Sequence, residues 1–189
     1  MQTWLLTTGW QLADRLRDPG CRVCGCPTNL DFCPECLLKW GFRARQPMFE
    51  WGPVPVHAAC MFNPHVKRPL YGYKFYRNHG AGALLVQLLV QYWQLNPPEG
   101  SCLVVPVPSR THHRLRALAS GFAQHFHYPV STQTLAWSRD TLPQHRLKRA
   151  WKRQENMAGA MVWQPLKAGG VQPKITLVID DLLTTGATA

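Results

Sequence analysis

Near its end the chain carries Ile175-Thr176-Leu177-Val178-Ile179, which runs directly into Asp180-Asp181. A short, largely apolar run without polar alternation marks a strand covered on both faces. In open parallel sheets, ligands bind outside the carboxyl ends of such strands. A second run of the same kind, Cys102-Leu103-Val104-Val105-Pro106-Val107, lies upstream. The spacing of Leu84, Leu85, Leu88, Leu89 and Tyr92 predicts a helix over 80–95, which Asn96-Pro97-Pro98 ends. A basic helix over 110–126 and a strand over 130–135 follow, then a polar basic stretch over 139–156. Strands alternating with helices predict an α/β fold with a parallel sheet.

The residues after the acid pair are Leu182-Leu183-Thr184-Thr185-Gly186-Ala187-Thr188. Their hydroxyls, and backbone N–H groups made accessible by Gly186, form a cradle for an anion, and a helix starting there would add its N-terminal field. Asp180 and Asp181 would accept hydrogen bonds from ribose hydroxyls or hold Mg²⁺ through water. Carboxylates beside a phosphate cradle point to a sugar phosphate. The Gly-Lys-Ser/Thr of a Walker A loop is absent.

The N-terminal third has a different character. A helix is expected over 3–17, with Trp4, Leu5, Leu12 and Leu16 as its apolar positions, ended by Pro19-Gly20. Cys21-x-x-Cys24 and Cys33-x-x-Cys36 are two knuckles eight residues apart. Together Cys21, Cys24, Cys33 and Cys36 make a closed four-thiolate site for a structural Zn²⁺. Cys26 is a fifth candidate, and a quartet that includes it is an alternative. Cys60 and Cys102 read as core residues. Seven cysteines, an odd number with five inside residues 21–36, favour a metal site in a reducing cytoplasm over a disulfide framework. Residues 41–69, punctuated by Pro47, Pro53, Pro55, Pro64 and Pro69, read as loop or short strands.

The 189 residues carry a formal charge of +11, and 46% of them are hydrophobic. That apolar share supports a packed core and excludes a disordered tail. Residues 60–179 hold fifteen of the 21 basic residues against only Glu99, Asp140 and Glu155, so the expected partner is a polyanion. Arg146, Lys148, Arg149, Lys152 and Arg153 form a basic run near Trp137 and Trp151. It reads either as a loop closing over a reaction centre or as a helix face on which bases stack. The N-terminus lacks the charge and apolar core of a signal peptide. The most apolar stretch, 80–93, is interrupted by Gln87 and Gln91 and is too short to span a bilayer. Neither a Ser-His-Asp triad nor a paired-carboxylate hydrolase site is evident.

The run Asp180-Asp181-Leu182-Leu183-Thr184-Thr185-Gly186-Ala187-Thr188 after an apolar strand resembles the phosphoribosyl pyrophosphate (PRPP) motif of type I phosphoribosyltransferases. Two cysteine knuckles, Tyr73-Lys74-Phe75, Val105-Pro106-Val107-Pro108, Arg114-x-Arg116, Ser120-Gly121-Phe122-Ala123-Gln124 and that motif follow one another in an order similar to the ComF family. The family's Arg-Gly-Phe-Asn-Gln reads Ser-Gly-Phe-Ala-Gln here. Gln144, Arg149, Arg153 and Asn156 fit the downstream pattern, while Met161 stands near the place of an expected aromatic residue.

The resemblance implies an N-terminal zinc-finger region over 1–59 and a phosphoribosyltransferase-like domain over 60–189. Family members continue past the PRPP loop with a helix and a strand, so the chain is expected to be incomplete at Ala189. Asp180 and Asp181 take the catalytic place. Thr184, Thr185, Gly186, Ala187, Thr188, Ser109 and Lys74 face PRPP and its phosphates. Arg110, Arg114, Arg116, Arg149 and Arg153 contact pyrophosphate or nucleic acid. The implied activity is displacement of pyrophosphate from the ribose C1 with Mg²⁺, in natural competence or the use of incoming DNA. The alternative is a non-catalytic PRPP sensor that binds single-stranded DNA and works with DNA-uptake proteins.

Overall fold

Asparagine caps and two prolines organise the first long helices. A computed structural model describes residues 20–43, 47, 49–51, 53–97, 99–109, 113–142, 146–147, 149–164 and 172–182. The first helix, α1 (Pro34–Lys39), is short and starts at Cys33. A hairpin of β1 (Phe49–Trp51) and β2 (Val54–Val56) follows, paired antiparallel. The helix α2 spans Pro64–Tyr76, although its prolines read in sequence as loop or short strands up to residue 69. Pro64 sits in the first turn, whose N–H groups have no intrahelical acceptor anyway. The Asn63 side chain accepts from the N–H groups of His65 and Val66 at 3.0 and 3.1 Å. Pro69 deletes one interior donor, and the burial of Val66 and Leu70 on either side holds the helix together despite that loss.

Arg77, at φ 52°, ends α2 in the left-handed region. The next residue, Asn78, already caps α3 (His79–Leu95) by accepting from the N–H of Ala81 at 3.0 Å. Two residues therefore join the helices, which pack against each other as a hairpin. The helix α3 feeds three separate clusters of buried side chains. Leu85 joins Leu70, Val107, Leu115 and Leu118; Val90 joins Val104, Ala119, Phe122 and Ala123; Leu88 joins Phe32, Trp40 and Val66. Each buried Val, Leu or Phe among them contributes roughly 1.5–3 kcal/mol by leaving water. The cysteine unit is thereby packed onto the rest of the fold through Phe32 and Trp40.

The strand β3 (Cys102–Pro106) is buried at all five positions. It pairs in parallel with β6 (Ile175–Ile179), Cys102 opposite Ile175 and Pro106 opposite Ile179. The helix α4 (His113–Phe126) covers β3 and packs on α3. The expected strand over 130–135 is reduced to a single parallel bridge, Val130 to Val104. Strand β4 instead spans Leu135–Trp137, and after α5 (Ala150–Met157) it pairs antiparallel with β5 (Met161–Trp163). The fold is therefore mixed α/β with a small parallel sheet and two antiparallel pairs among the described residues. No helix among them is long and apolar enough to cross a membrane. The helix expected over 3–17 lies outside the described residues.

Candidate functional site

Parallel pairing in register brings the carboxyl ends of β3 and β6 together. The N–H of Val107 continues the ladder onto the carbonyl of Ile179 at 3.0 Å. Asp180 and Asp181 therefore stand beside the turn Pro106-Val107-Pro108-Ser109. Val107, Ile179, Leu182 and Tyr73 pack into one apolar cluster beneath them.

Lys74, from the last turn of α2, reaches across 107 residues of sequence to Asp181. Its Nζ lies 3.1 Å from Oδ1 and 2.9 Å from Oδ2. The Asp181 N–H donates to Asp180 Oδ1 at 2.8 Å, so the two acids are chained, and among the described residues only Asp181 is ion-paired. Asp180 shows the consequence. Surrounding protein, and then the charge of Asp181, raise its pKa to about 6, against the Asp181 N–H and Lys74, which lower it. Water reaches Asp180, so its carboxylate is an accessible hard donor with incomplete compensation. That donor chemistry fits a hydrated Mg²⁺ or a sugar hydroxyl.

Tyr73 is a site residue whose role sequence reasoning did not assign. Its hydroxyl donates to the Arg114 carbonyl at 2.6 Å, tying α2 to the start of α4. Burial raises its pKa, the Arg114 charge lowers it and the Asp181 charge raises it, so both charges lie close to one phenol. Gly82 makes room for this ring: a Cβ there would stand 2.6 Å from it.

A cavity of about 320 Å³ opens at the same end of β3. Its walls include Ser109, Arg116, Thr132, Leu135 and Trp137, and Arg116 donates to the Thr132 hydroxyl at 2.7 Å. Of the expected anion-contacting residues, Lys74, Ser109, Arg114 and Arg116 thus gather around the ends of β3 and β6. Arg149 and Arg153 lie elsewhere along the chain, at the start of and within α5. Arg153 Nε is buried without a hydrogen-bond partner among the described residues, and no ion pair among those residues joins either arginine to the acid pair. Asn156 has a structural role, exchanging hydrogen bonds with both the N–H and the carbonyl of Leu142 at 2.9 and 3.0 Å. Arg110, Thr184, Thr185, Gly186, Ala187 and Thr188 lie outside the described residues.

The second site is the cysteine unit. The Cys21 N–H donates to the Cys26 carbonyl and the Gly25 N–H to the Cys21 carbonyl, both at 2.8 Å, with Gly25 at φ 75° making the tight turn. The Val23 N–H points at Cys21 Sγ and the Cys36 N–H at Cys33 Sγ, each at 3.4 Å. The sulfurs of Cys21, Cys24, Cys26 and Cys33 all lie within 4.8 Å of one another. Cys24 and Cys33 are 3.7 Å apart, close to the ~3.8 Å edge of a tetrahedron with Zn–S bonds of about 2.3 Å. These four thiols could hold a metal ion such as zinc. Three of the four ligands read from the knuckles belong to this group, and Cys26 completes it. Cys36 packs with Cys21 and Cys33 in one buried cluster. Burial would raise the Cys21 thiol, but backbone hydrogen bonds at Cys33, Cys24 and Val23 outweigh it and hold the pKa at about 6. Cys26 moves the other way, its contacts with Cys24 and Cys33 raising its pKa to about 12.

A third feature lies on the exposed face of α2 and matches no local motif. Between Glu50 and Glu99 the chain has no acidic residue, and α2 within that stretch exposes Tyr71 and Phe75, whose rings meet edge to face at 5.4 Å. Exposed Phe62 packs on Tyr71, and Lys67 Nζ lies 5.3 Å from the Tyr71 ring centre. Aromatic residues among unopposed cations were the available signal.

No family model, curated protein or solved structure matches this chain.

Proposed function

We propose that the protein binds PRPP with Mg²⁺ at the ends of β3 and β6 and acts as a ComF-type phosphoribosyltransferase in natural competence or the use of incoming DNA. The observation that carries this reading is the pairing of β3 with β6, which sets Asp180 and Asp181 beside Pro106–Ser109 with Lys74 locked on one acid. Asp180 and Asp181 would take the ribose hydroxyls or the waters of the metal ion. Ser109 and its neighbouring N–H groups, with Arg114 and Arg116, would take pyrophosphate oxygens. Lys74 keeps one carboxylate neutralised before substrate arrives and offers its cation to a phosphate afterwards. Mg²⁺, when bound, would supply charge neutralisation for the leaving pyrophosphate. The protein's fixed donors would act in the same direction as charge develops between ribose C1 and its leaving oxygen. The cysteine unit, holding Zn²⁺, would act as a structural staple.

The alternative is a PRPP sensor without transferase activity that handles single-stranded DNA with uptake proteins. The exposed Phe62, Tyr71 and Phe75 with Lys67 favour it, because stacking rings among cations suit a flexible polyanion. Pyrophosphate release from PRPP and Mg²⁺, measured across a panel of nucleobases, separates the two. Release with one base supports the transferase. Saturable PRPP binding with no release for any base supports the sensor.

A further inference from the structure

The cysteine unit holds one thiol more than a tetrahedral ion needs. Cys21, Cys24 and Cys33 form a group with Cys26, and Cys21 and Cys33 pack in one buried cluster with Cys36, against which Cys26 also lies. Both extra thiols are positioned by the backbone. The Cys26 carbonyl accepts the Cys21 N–H at 2.8 Å, and the Cys36 N–H donates to Cys33 Sγ at 3.4 Å. A closed zinc site takes four ligands, so one of the five thiols is always left over.

We propose that the unit is one mononuclear site in which Cys21, Cys24 and Cys33 are constant ligands and Cys26 and Cys36 exchange at the fourth position. The exchange is a ligand substitution with no change of oxidation state. One metal–sulfur bond forms as the other breaks; the incoming thiol gives up its proton and the outgoing thiolate takes one. The two states differ in what they expose. Cys36 is buried and Cys26 half-buried, so the state with Cys36 bound leaves its spare thiol within reach of water, and the state with Cys26 bound hides it. This inference is independent of the PRPP reading.

Co²⁺ substitution tests it in the full chain, because thiolate-to-cobalt bands count the sulfur ligands. Cys26→Ser and Cys36→Ser should each keep a four-sulfur spectrum and one metal per chain. The double variant should fall to a three-sulfur spectrum and lose its metal to a chelator that both single variants withstand. A three-sulfur spectrum or metal loss in either single variant overturns the proposal. The unsubstituted chain provides a check free of folding defects. Loaded with ¹¹³Cd, it should show scalar coupling from the metal to the β-protons of Cys26 and of Cys36, as well as those of the three constant ligands. Coupling to only one of those two also overturns it.

Discussion

Asp180→Asn changes one oxygen to an amide and should make the unliganded protein more stable at neutral pH. The Asp180 carboxyl moves from an ordinary 3.8 to about 6 in the fold, first by burial and then by Asp181. Between those values the native state holds a proton that the unfolded chain has released. Stability from this group is therefore complete below about pH 4, falls as pH rises to about 6 and stays reduced above it. A shift of about two units corresponds to roughly 3 kcal/mol for an enclosed carboxyl, and the access of water to Asp180 reduces this to about 1 kcal/mol. Asparagine keeps an oxygen for the Asp181 N–H and carries no charge. Urea titrations should show the variant more stable by about 1 kcal/mol at pH 7.5, or roughly 2–4 °C in Tm for a chain of this size. The difference should close by pH 4. A variant equally or less stable at pH 7.5, or a difference constant with pH, would refute the reasoning. A side chain retained at a cost to stability is what a ligand site would require.

Gly82→Ala would drive a methyl into the Tyr73 ring, 2.6 Å away, and should lower stability by about 1–3 kcal/mol in denaturant unfolding while weakening ligand binding through Lys74. Purified protein should carry about one Zn²⁺ per chain by metal analysis, and Cys24→Ser should lose it together with the N-terminal packing. Single-stranded DNA binding should weaken steeply with added salt, and Tyr71→Ala with Phe75→Ala should lower affinity with little change in that salt slope, since rings carry no charge. An unchanged affinity would remove the α2 face from the nucleic-acid reading.

The sequence made β3, α3 and α4 legible, because each is long or apolar enough to stand out; β6 was legible as a strand but not as one covered on both faces, since it is half-buried and exposes Val178. The helix α2 was hidden by Pro64 and Pro69, which signal a break in a linear reading but are tolerated by a capped first turn and a buried face. The parallel sheet was overestimated at 130–135, where only Val130 keeps the ladder and the following residues turn to pair with β5. The acid pair was visible from its strand. The ion pair with Lys74 and the Tyr73 bond to Arg114 were not, since no local pattern encodes contacts 107 and 41 residues apart. The cysteine spacing pointed to Cys36 as the fourth ligand because sequence pairs thiols by knuckle. The fold also draws Cys26 into the group, through the Cys21–Cys26 backbone bond, and leaves Cys36 packed against Cys21 and Cys33.

The most direct test of the central claim is calorimetric titration of PRPP into the full chain in the presence of Mg²⁺. The account predicts saturable binding that weakens about tenfold or more for Asp180→Asn or Asp181→Asn, because each removes a charged acceptor worth roughly 1.5–3 kcal/mol. Failure of the wild-type chain to bind PRPP, or binding by both variants as tight as by the wild type, would contradict it.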